Sequence, residues 1–390
     1  MKPLPNALAK RLIAPLLIAV LAATSTHAEP GPWPDASFDA HFRQVIDEAG
    51  IPGGAYAIVR DGRIIETAGH GVRQAGGHAP VTETTVFRIA SVSKTFAAEL
   101  TALLVRDGAL RWDDTLGKAL PGFRFKGEGQ AQRLQIQHLL GQSTGIVPNA
   151  YDNMLDANQP LASILPHFRE LEPNCLPGAC YTYQNILFSL IEPVIERATR
   201  RSYAELVDER LFKPLRMQHA SVGMAAFLAE QNRALPHVKR RGGWSPTEVQ
   251  PGYYEVLPAA GVNASAADLG TWLLAQLGHF PEVVPPQVAQ EITQARVRTA
   301  RDLRRSRWRE LISDAHYGLG WRIYRLGNED LYLHSGWVKG YVAEIAYSRQ
   351  RGTGLVVLLN AESGSALSEI TAAFWKAEIR NERNIALGMR

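Results

Sequence analysis

Three short segments of this 390-residue chain carry residue types that can together activate an oxygen nucleophile. Ser91-Val92-Ser93-Lys94 sets a hydroxyl three positions before an amine, at the start of a long helical period. Residues three apart share a helix face about one turn apart, so the Lys94 amine can approach the Ser91 hydroxyl. The helix start adds N–H groups and positive potential. A serine hydroxyl attacks poorly until a base takes its proton, and a desolvated lysine is one such base. Alone, the pattern equally suits a helix cap with an exposed lysine. Tyr183-Gln184-Asn185 opens a second helical stretch, and His334-Ser335-Gly336 sits on a strand. Singly, Tyr183 reads as a half-buried aromatic, Asn185 as a cap and His334 as a satisfied core histidine. Their co-occurrence with Ser-x-x-Lys is what favours chemistry.

Gly141-Gln142-Ser143-Thr144-Gly145 also matches Gly-x-Ser-x-Gly, the turn that presents a nucleophile between a buried strand and a helix. Gln135, Gln137 and His138 break the apolar strand this would require, and Pro148 interrupts the helix that would have to come after it, so Ser143 reads as a structural loop residue. Cys175 and Cys180, the chain's two cysteines, flank Leu176-Pro177-Gly178-Ala179. Pro-Gly suits the central positions of a type II turn, which brings its flanks within the ~4.4–6.8 Å Cα separation of a disulfide. A disulfide is expected in an oxidising compartment, with two free thiols in a loop as the alternative. No second Cys pair and no His-Glu-x-x-His pattern accompany them, so no metal is expected.

Residues 1–28 have a basic start, an apolar run from Leu12 to Ala23 and a small-residue end at Thr26-His27-Ala28, the layout of a secretory signal. Twelve residues including Pro15 fall short of the ~20 that span a bilayer, so cleavage and export to the periplasm or beyond are expected rather than an anchor. Without that segment the charge is near neutral, which gives no electrostatic reason to expect nucleic acid as a partner.

The elements that must position these residues fall into blocks. Phe38, Phe42, Val45 and Ile46 mark one face of a helix over Phe38–Ala49. Gly54–Val59 and Arg63–Ala68 read as a hairpin around Asp61-Gly62. Strand runs return at Trp321–Tyr324, Leu331–Leu333, Tyr341–Tyr347 and Leu355–Leu359, while Thr95–Arg106, Asn185–Arg200 and Tyr203–Leu211 carry helical periods. The basic stretch from Arg296 to Arg309 reads as a solvated helix face with Trp308 as a packing anchor. The simplest packing is an α/β (α+β) sandwich. In it a mainly antiparallel sheet, built from 29–94 and 255–390 and flanked by helices, is interrupted by an all-helical domain over 95–254.

In order and spacing, Ser91-x-x-Lys94, Tyr183-x-Asn185 and His334-x-Gly336 resemble the signatures of the class C serine β-lactamases and the related penicillin-binding, peptidase and esterase family. The resemblance extends to His138–Ile146, Leu211–Met217 and Tyr317–Trp321, and covers roughly residues 38–378. It implies that Ser91 attacks a carbonyl, that Lys94 helps deprotonate it, and that Tyr183 serves as base and then acid, a phenol near cations ionising more easily than usual. Asn185 would orient Lys94 and the substrate amide. The oxyanion would sit between the backbone N–H groups of Ser91 and Trp337. His334, Ser335 and Gly336 would line the substrate site. Many relatives have lysine where this chain has His334, so attraction to a substrate carboxylate should weaken, and a titration of His334 is expected in the pH profile. The implied function is opening of β-lactams through an acyl-serine. Alternatives are cleavage of D-amino-acid peptides or esters, or a penicillin-binding sensor without turnover. No cofactor is implied, the partner is a small-molecule substrate, and a monomer is expected.

Overall fold

Apolar runs at the two ends of the chain pair with each other. In the computed structural model, which describes residues 37–126, 129–305 and 307–386, helix α1 (Phe38–Glu48) precedes the hairpin β1 (Gly53–Arg60) and β2 (Arg63–Gly71). The chain then turns through helix α2 (Ser93–Arg106) into a helical region containing α3 (Ile136–Leu140), α4 (Asp152–Asp156) and α5 (Ala266–Gln276). Strands β3 (Val297–Arg298), β4 (Asp314–Tyr317), β5 (Arg322–Leu326), β6 (Glu329–Val338), β7 (Tyr341–Ser348) and β8 (Thr353–Leu359) come next, then helix α6 (Gly364–Ala386). Among the described residues these strands form one eight-stranded sheet in the order β2-β1-β8-β7-β6-β5-β4-β3. All its pairings are antiparallel, and β1 meets β8 from Gly54↔Leu359 to Arg60↔Thr353. The mixed architecture expected from the sequence is present.

Both faces of the sheet are covered, which is why β7 and β8 are buried throughout and read as largely apolar rather than alternating, with Glu344 of β7 the buried charged exception. On one face, α1 is capped by the Ser37 hydroxyl, which accepts from Ala40 N–H at 3.2 Å. Its Phe38, Phe42 and Ile46, spaced one turn apart, enter a core with Tyr56, Phe374 and Trp375. The other face packs on α5, whose Ser265 and Asp268 form a capping box, and continues into the helical region through α2. Among the described residues, no helix is long and apolar enough to cross a membrane.

Three local expectations change. The helical period from Asn185 breaks at Leu190 into Ile186–Ser189 and Ile191–Thr199, and Tyr203–Val207 ends in a wider turn over Asp208–Phe212. Residues 296–309 are not a solvated helix: they contain edge strand β3, a short turn over Asp302–Arg304 and a fully buried Trp308. Arg305 donates to the Tyr324 hydroxyl at 3.0 Å, while Arg301, Arg304, Arg307 and Arg309 stay exposed, so the run is solvated as expected but is not helical. The expected signal segment, residues 1–28, lies outside the described residues.

Glu99 on α2 is fully buried, accepts from Gln276 Nε2 at 3.2 Å, and has one carboxylate oxygen without a partner. Burial pushes its pKa up to about 7. The folded state therefore holds a proton that the unfolded chain releases near 4.5. The native state is thus destabilised as pH rises from about 4.5 through 7, by roughly 3 kcal/mol. Glu99→Gln should melt with the parent at pH 4 and clearly above it at pH 8; a melting difference independent of pH would remove this account.

Candidate active site

The turn that carries Ser91 is strained and pinned. Phe87 and Arg88 pair with Ala264 and Asn263 of a short strand, Val262–Ala264. The next turn begins with Ala90 at φ +49°, in the left-handed region that alanine rarely adopts. Ser91 then sits on a single 3-10 turn, Ala90–Val92, rather than on the helix itself, and Lys94 is the second residue of α2. Ser93 faces inward, where its hydroxyl accepts from Val262 N–H at 3.0 Å and ties the turn to that strand.

Lys94 has no solvent exposure. Its amine lies 3.1 Å from Ser91 Oγ, 2.7 Å from Asn185 Oδ1 and 3.1 Å from the Ala259 carbonyl oxygen. Two of those partners can only accept, whereas the serine hydroxyl can also donate. A neutral amine with two N–H bonds and one lone pair therefore has one self-consistent arrangement, with the lone pair toward Ser91. The far side of Asn185 donates from Nδ2 to Asp152 Oδ2 at 2.7 Å.

Tyr183 and Asn185 are held by the segment that mimics a nucleophile turn. The Gln142 side chain bonds the backbone of Gln184 twice, accepting from its N–H at 2.6 Å and donating to its carbonyl at 3.0 Å. Thr182 N–H bonds the Gln142 carbonyl at 2.7 Å. Ser143 is almost fully buried and follows α3 rather than a strand, so it is a brace for this loop. The Cys175–Cys180 disulfide is formed, with Cα atoms 6.3 Å apart. Its loop closes through Ala179 N–H to the Leu176 carbonyl with Gly178 at φ +85°, and docks on the brace through Gly178 N–H to the Ser143 carbonyl at 2.8 Å.

Strand β6 forms the opposite wall. A Cβ on Gly336 would lie 2.2 Å from the Ile89 carbonyl oxygen, so only glycine lets β6 lie against the Ser91 turn. Val338↔Tyr341 closes a two-residue hairpin. By antiparallel alternation the Trp337 N–H then points away from β7, toward the Ser91 side, where β6 has left its pairing with β5. Trp337 as a residue is 50% exposed.

Two of the residues expected to contact substrate are engaged elsewhere. The Ser335 hydroxyl donates to Glu344 at 2.5 Å, on the sheet face opposite His334. His334 has no exposure. Its Nδ1 lies 2.9 Å from the Ser335 carbonyl and must donate to it, leaving Nε2 to accept from the Tyr317 hydroxyl at 3.0 Å. That is a neutral tautomer locked on both sides. Burial, Arg322 and Lys94 hold its pKa well below the usual value, so the expected titration of His334 in the neutral range is corrected. The positive charge on this wall belongs to Arg322 of β5, which pairs with Asp302 at 2.6 Å and lies 5.6 Å from the centre of the Tyr183 ring.

The acid–base groups are pushed apart. Burial drives the Lys94 amine well below its ordinary pKa, with Asp152 opposing and Arg322 assisting. Burial drives the Tyr183 phenol above 10, and the attraction of Arg322 and a hydrogen bond with Ser91 only partly offset it. Ready ionisation of Tyr183 is therefore corrected: desolvation outweighs the cations. Asp152, also desolvated, is pushed up to about 6. Asp152, Arg322 and Gln142 were not among the sequence candidates. Gln142 sits inside the Gly-x-Ser-x-Gly match and Arg322 directly follows Tyr317–Trp321, so both had a local signal; Asp152 meets Asn185 from 33 residues away and had none.

A model of the Beta-lactamase family matches residues 38–376. Protein flp of Staphylococcus aureus (strain NCTC 8325 / PS 47) is 26% identical over 328 residues, covering 83% of this chain and 63% of that protein. The chain thus spans less than two thirds of that relative's length. Penicillin-binding protein 4 of Amycolatopsis lactamdurans is 28% identical over 356 residues, covering 88% of this chain and 89% of that protein. An octameric penicillin-binding protein homologue from Pyrococcus abyssi superposes with a TM-score of 0.76 at 23% identity over 90% of this chain and 77% of its own, a likeness of fold.

Gly336→Ala should push β6 off the Ser91 turn and lower kcat by about 10²–10³, the usual loss of one oxyanion donor, in a protein that still folds. Steady-state kinetics alongside a thermal melt checks this, and a folded variant with parental kcat would contradict the wall geometry.

Proposed function

The chain belongs to the Beta-lactamase family, the superfamily of serine β-lactamases and penicillin-binding proteins, and on that premise we propose that it is an exported acyl-serine hydrolase that opens β-lactams. The observation that carries the reading is the buried Lys94 amine with Ser91 as its one partner able to give up a proton. Environments that lower one group and raise another assign base and acid. Lys94, neutral, takes the Ser91 proton as Oγ bonds to the carbonyl carbon. The developing oxyanion is stabilised by the N–H groups of Ser91 and Trp337. Tyr183, protonated, gives its proton to the departing nitrogen as the C–N bond breaks, and recovers one from the Lys94 ammonium. Water then adds to the acyl-serine, losing a proton to the same pair while Ser91 Oγ regains one. Arg322 beside Tyr183 supports a substrate bearing a carboxylate near the scissile bond. The secretory layout of residues 1–28 and the disulfide support export.

The uncharged His334 favours a second reading within the same chemistry, a peptidase or esterase acting on D-amino-acid amides or small esters. Fluorescent penicillin labelling, chromogenic cephalosporin turnover, a D-alanyl peptide and a nitrophenyl ester, each run on the parent and on Ser91→Ala, separate the readings. Ser91-dependent label with rapid cephalosporin turnover is expected, and Ser91→Ala should lose at least about 10³-fold. A label that persists without turnover would move the protein to a penicillin-binding trap. Turnover of the peptide or ester alone would favour the second reading, and activity surviving in Ser91→Ala would end both.

A further inference from the structure

Among the described residues, Asp152 is the one acidic side chain bonded to the partners of the Lys94 amine, and the chemistry above assigns it nothing. It opens α4 directly after Tyr151, which adopts φ +63°. That strained residue is tied down by its hydroxyl, which donates to the His167 carbonyl at 2.8 Å. Asn149 N–H of the same segment bonds the Tyr183 carbonyl at 2.8 Å, so the stretch that delivers Asp152 also holds the Tyr183 loop. Asp152 Oδ2 accepts from Asn185 Nδ2, while Oδ1 is buried without a partner.

An asparagine amide has two ends of nearly equal shape and opposite hydrogen-bonding character, so something must decide which end faces Lys94. A carboxylate can only accept. If the Asn185 amide turned over, its oxygen would face the Asp152 carboxylate, losing that hydrogen bond, and its NH2 would face the amine, where it could bond only the lone pair that Ser91 needs. We infer that Asp152 is a positioning residue for the nucleophile: by fixing the Asn185 amide it keeps an acceptor on Lys94 and leaves the amine's lone pair for Ser91. The inference rests on the acyl-serine reading above.

The carboxylate has a second consequence. Its charge stabilises the ammonium form of Lys94, opposing burial and Arg322. The groups facing Asp152 are Lys94 from α2, Asp156 from its own helix, Tyr253 from the turn Gly252–Glu255, and Tyr183 with Asn185 from the Tyr183 loop. Among these, Lys94 is the one that carries positive charge when protonated. Removing the carboxylate should therefore make Lys94 neutral at lower pH, while freeing the Asn185 amide to turn.

In Asp152→Asn, kcat should fall about 10- to 100-fold with KM little changed, because the lost interaction acts on proton removal rather than on substrate contact. The acid limb of kcat/KM should move down by about one unit. A residue that only supports the fold would lower activity without moving that limb. Asn185→Ala combined with Asp152→Asn should lose hardly more kcat than Asn185→Ala alone, since one acts through the other. Should Asp152→Asn fail to fold, Asp152→Glu against Asp152→Gln carries the same comparison: Glu keeps the limb and Gln shifts it. A folded Asp152→Asn with parental kcat and parental acid limb, or additive losses in the double variant, would overturn the role. The Lys94 titration, followed by NMR of 13C-labelled lysine in the parent and Asp152→Asn, reads the same coupling without any substrate. A lower Lys94 pKa in the variant supports the inference and an unchanged one overturns it. A parent inert toward every acylating reagent would instead sink the functional reading, with the NMR comparison still deciding on Asp152.

Discussion

An amine with no access to water must find its hydrogen-bond partners inside the protein or lose its charge, and the active centre is organised around that constraint. Lys94 is met by Asn185, the Ala259 carbonyl and Ser91. Desolvation, which elsewhere would only be a cost to stability, here lowers the amine's pKa and so favours its neutral form. Each wall of the site serves to keep that amine dry and its partners in register. Gly320 lets the Tyr317–Trp321 turn lie directly on the Lys94 backbone, where a Cβ would fall 2.5 Å from its carbonyl oxygen.

Rigidity comes from contacts that look incidental in isolation. The disulfide loop docks on the Gly141–Gly145 segment, that segment grips Thr182 and Gln184, and the grip holds Tyr183 and Asn185 on either side of one peptide unit. A stretch that resembles a nucleophile turn is thus a brace for the loop that carries Tyr183 and Asn185. On the opposite wall, absence of a side chain at Gly336 matters as much, since any Cβ there would separate β6 from the Ser91 turn.

Charge is distributed differently from what the motif residues alone suggest. His334 is neutral and spent on Tyr317 and the Ser335 carbonyl, while the cation sits on the neighbouring strand as Arg322, balanced by Asp302 and ringed by Tyr181, Tyr183 and Tyr317. The wall keeps positive potential without placing a charge where His334 is buried. A lysine at 334 would have to share that space with Arg322 and Lys94.

The sequence by itself determined the family and the antiparallel sheet assembled from both chain ends, and it marked Ser91 with Lys94 as the candidate pair and Cys175 with Cys180 as an expected disulfide. Those features are written in spacing: two residues between Ser91 and Lys94, alternating or largely apolar runs, and Pro-Gly between two cysteines. It also named Tyr183 and Asn185, which the fold brings to Lys94 from about ninety residues away. Only the tertiary structure decided the protonation states and the supporting cast. Tyr183 is hard to ionise and His334 is neutral because desolvation is a property of the packed interior, not of neighbouring letters. Asp152, Glu344 and the brace on Gln184 emerge from contacts between distant segments, and so does the turn of Arg305 toward Tyr324 beside the buried Trp308.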